Sequence, residues 1–428
     1  MSPTSWLPIP HGSHFSIANI PFGIISTARS QTPRPAVAIG DFVLDLCVFA
    51  LSDGFRGLES TALDISIFNE KTLNRFASLG RGVHREVREY LQSVFRQNTP
   101  IPHVLKDDIN LRQQALLPRE TVKNHTPLQI GTYTDFFAGK HHAENCGIIF
   151  RGPSNALQPN YLHLPVGYHS RASSVVVSGT PVRRPKGQIL LQRSGSPVLA
   201  ASQRLDIELE LGAFLCNSNP LGEPIDLDKA DDYIFGYVLL NDWSARDIQA
   251  WEAAPLGPFN AKSFCSTISP WVVLPEALQP FRCAPIPNET SLLPYLRERR
   301  TDSVFGIELD VSIISKEGRR TVLSQTTSSN LIYSFPQMIA HHTIGGCPLE
   351  VGDLLGSGTI SGTKPGTLGS LLEMTQGGKR MVQLADGEER CFLDDGDSVV
   401  IEGRCGSGDQ DGIVGFGECS GTIIPSIL

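Results

Sequence analysis

The sequence has 428 residues, of which 40% are hydrophobic and 19% are charged, and its formal net charge is -8. A chain of this length and composition can bury a large core and predicts two or three globular domains rather than disorder. The acidic balance argues against a nucleic-acid partner, and the apolar runs are too short to suggest a membrane partner.

The N-terminal segment and the cysteines both favour a cytoplasmic protein. Pro3, Pro8 and Pro10 interrupt the first residues, which lack the basic stretch and apolar core of a secretory signal. Nine cysteines are scattered from Cys47 to Cys419 without a C-x-x-C pair. This distribution is typical of reduced thiols rather than of a disulfide framework or a zinc site.

The N-terminal region is predicted to begin as a sheet and to continue with a helix. Apolar residues 37–39 and 42–46 flank Gly40 and Asp41, which is the pattern of two short strands joined by a tight turn. Between residues 69 and 97, the apolar side chains that follow the helical period are Val83, Val87, Tyr90, Leu91 and Val94. Prolines then punctuate the chain, and we place a domain boundary near residue 120, between domains 1–120 and 121–428.

Beyond residue 120 the sequence is typical of a sheet-dominated domain. Short apolar runs at 174–177, 205–215, 307–314 and 398–401 are separated by glycine and proline. The 40 glycines and 30 prolines of the chain suit many tight turns and argue against a bundle of long helices or a regular βαβ repeat. The predicted fold class is therefore mainly β, of the α+β type.

A run of acidic residues at 205–211 predicts a metal site. Asp206, Glu208 and Glu210 alternate with apolar residues, so that all three carboxylates would share one face of a strand. A plain amphipathic strand also explains the alternation, but neighbouring carboxylates repel each other unless a cation lies between them. Because only oxygen ligands are present, a hard cation such as calcium or magnesium is favoured over zinc.

A second polar cluster follows the apolar strand predicted at 237–240. Asp242 would lie at the strand end, and a helix is predicted to begin at Ser244. On that helix Arg246 and Gln249 share one face, and Lys262 follows in a turn from which its ammonium could reach the same site. An exposed helix face with ordinary polar residues is the alternative.

A third segment brings Asp135 within one or two helical turns of His141 and His142. A histidine there could serve as a base or a ligand, although a single histidine is more often structural. The glycine spacing at 356–362 fits neither a dinucleotide fingerprint nor a P-loop. The sequence also has no G-x-S-x-G elbow, so no motif supports serine-hydrolase chemistry.

Taken together, six segments resemble the full-length, two-domain fumarylacetoacetase family. They are YTDF from Tyr133, RGPSNAL from Arg151, LHLPVGYHSRASSVVVSGTPVRRP from Leu162, LDIELELGAF from Leu205, NDWSARDIQAWE from Asn241 and DLLGSGTISG from Asp353. The resemblance covers essentially the whole chain. It implies a small N-terminal SH3-like β-barrel, a C-terminal mixed β-roll and a homodimer.

The resemblance also implies an ion site and a proton-transfer pair. The ligands of a catalytic divalent ion, expected to be Ca²⁺, would be Asp135, Glu208, Glu210 and Asp242. A second ion, Mg²⁺, would be held by Asp242 and by the loop in which Ser266 replaces a threonine of the family. His142 matches the general base, and Glu373 matches the carboxylate that orients it.

The remaining implied residues handle the substrate. The polar groups around the reacting carbonyl would be Arg246, Gln249 and Lys262, and the groups that hold the rest of the substrate would be Arg151, Tyr168 and Thr359. Two positions depart from the family pattern, because Phe137 and Ala253 stand where substrate-contacting tyrosines are expected. These departures predict that the chemistry is retained while substrate recognition has changed.

The function implied by the resemblance is metal-dependent hydrolysis of a carbon–carbon bond in a small 1,3-diketone acid. The specific expectation is conversion of 4-fumarylacetoacetate to fumarate and acetoacetate in tyrosine and phenylalanine catabolism. Phe137 and Ala253 favour a second hypothesis, a paralogue from a specialised pathway that cleaves, decarboxylates or isomerises a bulkier β-keto substrate. A third hypothesis is a non-catalytic dimer that binds a metal or a small acid, against which the retention of His142 and Glu373 argues.

Overall fold

The computed structural model describes residues 4–58, 63–190, 195–385, 387–406 and 412–427. Its N-terminal part is an antiparallel sheet of five strands in the order β4-β3-β2-β1-β5. Strands β1 to β5 are Phe22–Thr27, Arg34–Ile39, Phe42–Asp45, Leu116–Pro118 and Val122–His125. Helices α1 to α4 are Leu46–Leu51, Asn74–Ala77, Gly80–Phe95 and Ile109–Ala115.

Both elements predicted in the N-terminal region are confirmed. The hairpin is β2–β3, in which Ile39 pairs with Phe42 and Gly40 takes a φ of 55°, a left-handed conformation that glycine adopts without steric cost. The helix is α3, and all five apolar residues of the predicted face are buried. Strand β5 pairs with β1, so the N-terminal sheet runs to His125, just beyond the boundary proposed at residue 120.

The C-terminal part is built mainly of strands, which confirms the mainly β fold class. Strands β6 to β25 are Tyr133–Phe136, Gly167–Ser170, Val175–Val177, Val182–Arg183, Lys186–Leu190, Pro197–Ala201, Leu205–Asp206, Leu209–Leu215, Ile234–Asp242, Ser244–Ala245, Ser266–Ile268, Arg282–Cys283, Val304–Phe305, Glu308–Ile314, Arg320–Thr327, Leu354–Gly356, Val382–Gln383, Glu389–Arg390, Ser398–Cys405 and Val414–Ile424. Helices α5 to α11 are Lys140–Arg151, Leu227–Ala230, Arg246–Glu252, Asn260–Ser263, Pro275–Leu278, Phe335–Thr343 and Leu371–Met374.

Two large sheets organise the C-terminal part. A mixed sheet of seven strands has the order β7-β6-β21-β13-β14-β16-β8, and a sheet of five strands has the order β20-β19-β24-β25-β9. One apolar core lies between these sheets, where Leu239 of β14 joins Val311 of β19 and Ile401 of β24. The central strands of the larger sheet are buried on both faces, as their nearly continuous apolar sequence requires.

The opposite face of the seven-stranded sheet packs against the N-terminal part. Val238 and Leu240 of β14 belong to a second core that contains Phe76 and Leu91 of the N-terminal helices. Successive side chains of a strand point to opposite faces, so Asp242 points to the same face as Leu240. Strand β14 therefore presents its polar end, Asp242, on the face that holds the N-terminal part.

The structure corrects the predicted start of one helix. The helix expected to begin at Ser244 begins at Arg246, because Ser244 and Ala245 form a short strand that pairs with Leu205 and Asp206. That pairing also divides the acidic segment, since β12 ends at Asp206 and the next strand, β13, begins at Leu209.

Two further expectations concern the whole chain. All nine cysteines lie in the part of the chain that the structure describes and none forms a disulfide, as predicted. Among the described residues, no helix combines the length and the apolar character needed to cross a membrane.

Candidate active site

Four buried carboxylates converge where strands β6, β13 and β14 of the seven-stranded sheet begin or end. One oxygen from each lies within 4.8 Å of the others, and the residues are Asp135, Glu208, Glu210 and Asp242. They come from β6, from β13 and the residue preceding it, and from the end of β14. Two of the three carboxylates of the acidic segment thus join the cluster, whereas Asp206 does not. The strand break between Asp206 and Leu209 separates them.

Two cations balance one side of this carboxylate cluster. The ammonium of Lys262 contacts Glu208 and lies 2.8 Å from Oδ2 of Asp242, and Nη2 of Arg246 lies 2.8 Å from Oε1 of Glu208. Burial alone would raise the pKa of Glu208, but Lys262 and Arg246 outweigh burial and lower this pKa to about 2. Glu208 is therefore ionised at neutral pH.

The carboxylates on the other side of the cluster, Asp135 and Glu210, have no cationic partner among the described residues. Within the described ranges, neither Asp135 nor Glu210 forms an ion pair, and Oδ1 of Asp135 and Oε1 of Glu210 are buried without a hydrogen-bond partner. Burial and the charge of Asp242 raise the pKa of Asp135 to about 8, and burial with Asp135 raises the pKa of Glu210 well above its ordinary value. An all-oxygen donor set with two unpartnered carboxylate oxygens fits a hard divalent cation.

A histidine–glutamate pair lies next to the carboxylate cluster. Nδ1 of His142 lies 2.6 Å from Oε2 of Glu373, and Nε2 of His142 lies 3.6 Å from Oε1 of Glu208. Burial disfavours the imidazolium, but the sulfur of Cys146 and the carboxylate of Glu373 outweigh burial and raise the pKa of His142 well above its ordinary value. Since Glu373 accepts a hydrogen bond from Nδ1, the other ring nitrogen is Nε2, which faces the cluster and lies 3.4 Å from the sulfur of Cys146.

Three further donors hold Glu373 in place. Its carboxylate accepts hydrogen bonds from Asn145 at 2.8 Å, from Ser361 at 2.8 Å and from Ser370 at 2.8 Å. Ser370 is also the N-cap of α11, the short helix that carries Glu373. Motif reading missed these three residues, because each is defined by its distance from Glu373 and not by any local pattern.

A cavity of about 360 Å³ opens onto the carboxylate cluster. Of the residues proposed from the sequence, those lining it are Asp135, Phe137, Tyr168, Glu208, Glu210, Gln249, Lys262 and Thr359. The hydroxyl of Thr359 is buried without a partner, whereas the hydroxyl of Tyr168 donates to Asp242 at 3.0 Å. Phe137 packs edge to face against His142, with ring centroids 5.5 Å apart.

Other proposed residues lie outside the cavity wall. Arg246 and Ser266 are behind it, where Arg246 bonds Glu208 and the hydroxyl of Ser266 donates to Oδ1 of Asp242 at 2.8 Å. Arg151 is exposed, and its guanidinium donates to the carbonyl groups of Asn155 at 3.0 Å and Ala156 at 2.8 Å. Neither Arg151 nor Ala253 lines the cavity, so their proposed effects on the substrate stay predictions.

A buried histidine–glutamate pair thus lies beside a carboxylate cluster, three members of which line the cavity, and this arrangement is typical of a hydrolytic enzyme. Comparison with known proteins then gives its family. Residues 18–127 match the sequence model of the fumarylacetoacetase N-terminal domain, and residues 131–424 match that of the fumarylacetoacetate hydrolase C-terminal domain. The chain belongs to the fumarylacetoacetase family, whose enzymes are hydrolases that cleave carbon–carbon bonds.

Full-length relatives are found in several kingdoms. The chain is 58% identical to fumarylacetoacetase of Aspergillus fumigatus over 428 residues, which is 99% of each chain. It is 46% identical to fumarylacetoacetase of Arabidopsis thaliana, covering 99% of this chain and 98% of the relative, and 45% identical to that of Bos taurus, covering 99% of both. The predicted family resemblance is thereby confirmed.

Solved structures share the fold at much lower identity. Fumarylacetoacetate hydrolase from Exiguobacterium antarcticum superimposes with a TM-score of 0.52 at 14% identity, covering 95% of this chain and 99% of that chain. A putative HpcE protein from Mycobacterium smegmatis has a TM-score of 0.52 at 18% identity, covering 94% and 99%. These likenesses establish the architecture alone.

Proposed function

We propose that this hydrolase converts 4-fumarylacetoacetate and water to fumarate and acetoacetate in tyrosine and phenylalanine catabolism. The observation that carries the proposal is the His142–Glu373 pair, whose Nε2 lies 3.6 Å from a carboxylate of the cluster. A base beside a site suited to a cation and to a chelating 1,3-dicarbonyl group would support this reaction. The 45–58% full-length identity to the fumarylacetoacetases described above supports the choice of substrate.

The cluster residues that would hold a divalent cation are Asp135, Glu208, Glu210 and Asp242. When bound, such a cation acts as a Lewis acid that polarises a carbonyl and stabilises negative charge on an enolate leaving group. The lack of a cationic partner at Asp135 and Glu210, within the described part of the chain, supports this assignment. Ca²⁺ is the proposed ion, with a Mg²⁺ site at Asp242 and Ser266 as a further proposal.

The residues of the chain move the proton and stabilise the charge. His142 accepts a proton from water at Nε2, while Glu373 holds the ring by accepting the Nδ1 hydrogen bond. The hydroxide adds to the ketone carbon, and Lys262 and Gln249, which line the cavity, are the donors that we assign to the resulting oxyanion. The carbon–carbon bond then breaks, and the leaving enolate takes a proton to give acetoacetate.

The charge around His142 must allow it to act as a base. In the protein alone, its raised pKa favours the imidazolium, which cannot accept a proton. His142 would lose this proton more easily if Glu208 held a divalent cation, because a second positive charge nearby disfavours the imidazolium. The base and the cation site therefore depend on each other electrostatically.

The cavity supports recognition of the substrate by several groups. Thr359 has an unsatisfied hydroxyl, and Gln249 and Tyr168 present polar groups to the cavity. We also propose the finer features that the resemblance implies, namely an SH3-like N-terminal barrel, a C-terminal β-roll, a homodimer and a cytoplasmic location. Arg151 would contribute to substrate binding if the loop that it contacts rearranges.

One observation favours a second candidate function. The cavity wall contains Phe136, Phe137, Val166, Leu256 and Pro258, so one side of it is apolar, and Leu256 is 97% exposed. An apolar wall without the expected tyrosine hydroxyl suits a bulkier β-keto substrate from a specialised pathway. Turnover of such a compound at a higher kcat/KM than fumarylacetoacetate would favour this candidate.

The test is an absorbance assay on fumarylacetoacetate with full-length protein, with chelator-treated protein and with chelator-treated protein given Ca²⁺ or Mg²⁺. We expect turnover that is lost on chelation and restored by one of the ions. The variant His142→Asn should lose activity by about 100-fold or more, whereas His341→Asn, a histidine bonded to Tyr295 away from the cavity, should retain it. No turnover by the ion-supplied protein would reject this substrate, and full activity after chelation would reject the ion.

A further inference from the structure

The hydroxyl of Tyr133 is a buried polar group that neither the fold nor the proposed reaction explains. Tyr133 is 1% exposed, and its hydroxyl has no hydrogen-bond partner. Burying a hydroxyl without a partner destabilises a protein, because the group loses its hydrogen bonds to water. An isosteric phenylalanine would avoid this cost, so the hydroxyl requires a reason.

The surroundings of Tyr133 indicate the reason. Tyr133 and Asp135 lie two residues apart on β6 and point to the same face of the sheet. The adjacent strand β21 pairs with β6, and Gly356 lies opposite Asp135 in the register. Strand β13, which carries Glu210, is the next neighbour. Three adjacent strands thus bring the phenol and two carboxylates to one place.

Gly356 leaves open the space where these oxygen atoms meet. A Cβ atom added to Gly356 would lie 2.6 Å from Oδ1 of Asp135, 3.0 Å from Oε2 of Glu210 and 3.1 Å from the hydroxyl oxygen of Tyr133. Any side chain at this position would therefore collide with the carboxylate cluster. The phenol belongs to the same group of atoms as the two carboxylates that lack a cationic partner.

We propose that Tyr133 is a positioning residue of the ion site, whose hydroxyl donates a hydrogen bond to Asp135 or Glu210 when these carboxylates bind a divalent cation. The proposal rests on the ion site proposed above. A carboxylate that ligates an ion with one lone pair still has lone pairs for a second partner, and a neutral phenol is a donor that can occupy them. Such outer hydrogen bonds fix the direction of the ligand and remove one of its conformations.

This role explains both the buried hydroxyl of Tyr133 and the glycine at position 356. On the side of β21, Oε2 of Glu210 accepts a hydrogen bond from the N–H of Gly358 at 3.1 Å, whereas Oδ1 of Asp135 and Oε1 of Glu210 have no partner among the described residues. The phenol would supply a donor to one of these two oxygens, and without the glycine it could not approach them. Tyr133 does not face the cavity, whose wall includes Asp135 and Glu210 but not the phenol. Its effect on the reaction therefore passes through the ion and not through contact with the substrate.

The test measures ion affinity directly. Full-length protein is treated with a chelator and titrated with Ca²⁺, and separately with Mg²⁺, by isothermal titration calorimetry. The variant Tyr133→Phe keeps the ring and removes only the hydroxyl. We expect its Kd for the ion that binds the wild type to rise by about 10- to 100-fold, the usual effect of losing an outer-sphere partner. The increase in Tm on adding that ion should shrink in parallel.

Tyr90→Phe is the matched control. Tyr90 is also buried, and its hydroxyl donates to the carbonyl of Gly54 at 2.6 Å in the N-terminal part rather than approaching a carboxylate of the cluster. This variant should lose stability and keep the wild-type Kd. A second variant, Gly356→Ala, should abolish the ion-dependent increase in Tm because its methyl group occupies the space beside Asp135.

The outcomes separate this inference from the proposed function. A Tyr133→Phe protein that binds the ion within twofold of the wild type would overturn the role of Tyr133 while leaving the ion site intact. Equal losses in Tyr133→Phe and Tyr90→Phe would also overturn it, because the effect would then reflect stability alone. A wild-type protein that binds neither ion would overturn the ion site itself.

Discussion

Asp206 accepts a hydrogen bond from Nε of Arg246 at 2.8 Å and, through the same carboxylate, ties Arg246 to the helix that carries Glu373. The backbone N–H groups of Leu371 and Leu372, in the first turn of α11, donate to Asp206 at 2.7 Å and 3.0 Å. Asp206 is fully buried. Asp206 lies outside the carboxylate cluster, and it therefore links Arg246 to the helix that carries Glu373.

Replacing Asp206 with Asn should displace both the Arg246 guanidinium and helix α11. An amide has one acceptor oxygen and a donor that would face Arg246 or the N–H groups of α11, so at least one bond is lost. We expect a loss of about 2 kcal/mol in the free energy of unfolding and a fall in kcat of about 10-fold or more with little change in KM, since substrate contacts stay in place.

Asp397→Asn is the control for this variant. Asp397 is also fully buried and accepts from Nε of Arg390 at 3.0 Å and from the N–H of Asp394 at 2.8 Å, away from the cavity. It should lose comparable stability and keep its kcat. Equal falls in kcat in the two variants would show that Asp206 acts only through stability. Urea unfolding and steady-state kinetics supply the two measurements.

Glu373→Gln should remove the charge that holds His142 without removing the hydrogen bond. The amide oxygen can still accept from Nδ1, but it does not stabilise the imidazolium that forms when water is deprotonated. We expect kcat to fall by about 100-fold, measured by absorbance at saturating substrate. Retention of more than half of the wild-type kcat would contradict the role given to this pair. Glu298→Gln, whose partner is Ser334, should have no such effect.

Phe137→Tyr tests whether the missing hydroxyl has changed substrate recognition. The Phe137 ring lines the cavity and packs against His142, so a para hydroxyl would add a donor beside the base. If fumarylacetoacetate is the substrate, KM should fall by about 2- to 10-fold, corresponding to one neutral hydrogen bond. An unchanged or higher KM in steady-state assays would favour the bulkier β-keto substrate instead.

His84 should make the stability of the protein fall in weak acid. Burial lowers the pKa of His84 to about 4, its Nε2 donates to the carbonyl groups of Phe76 and Ala77, and its Nδ1 has no partner. In the unfolded chain the pKa is near 6.5, so the unfolded state binds the extra proton first as the pH falls. The stabilisation is thus complete above about pH 6.5 and is lost progressively between about pH 6.5 and pH 4.

The expected loss from His84 is roughly 3 kcal/mol across that window, of which about two thirds is already lost at pH 5. Urea unfolding at pH 7 and pH 5 measures it. His84→Gln should be less stable at pH 7 and show a smaller difference between the two pH values. His103→Gln, at an exposed position, should keep the wild-type difference. Equal pH dependence in all three proteins would rule out His84 as the source.

Much of the fold and of the ion site follows from local patterns in the sequence. The 3.6-residue period predicts α3, and the turn at Gly40 predicts the β2–β3 hairpin. The alternation of acidic and apolar residues puts Glu208 and Glu210 on one face of the sheet, and their oxygen chemistry indicates a hard cation. These features depend only on residue type and spacing, both of which can be read directly from the sequence.

Only the tertiary structure determines which residues contact the carboxylates and the histidine of the site. The alternation also placed Asp206 with the other two carboxylates, but pairing with Ser244 ended its strand and turned it toward Arg246 and α11. Glu373 is 231 residues from His142, and no local sequence pattern indicates that the two side chains are in contact. Periodicity specifies the face on which a side chain lies, whereas strand pairing and helix packing determine what it meets there, because those contacts join distant parts of the chain.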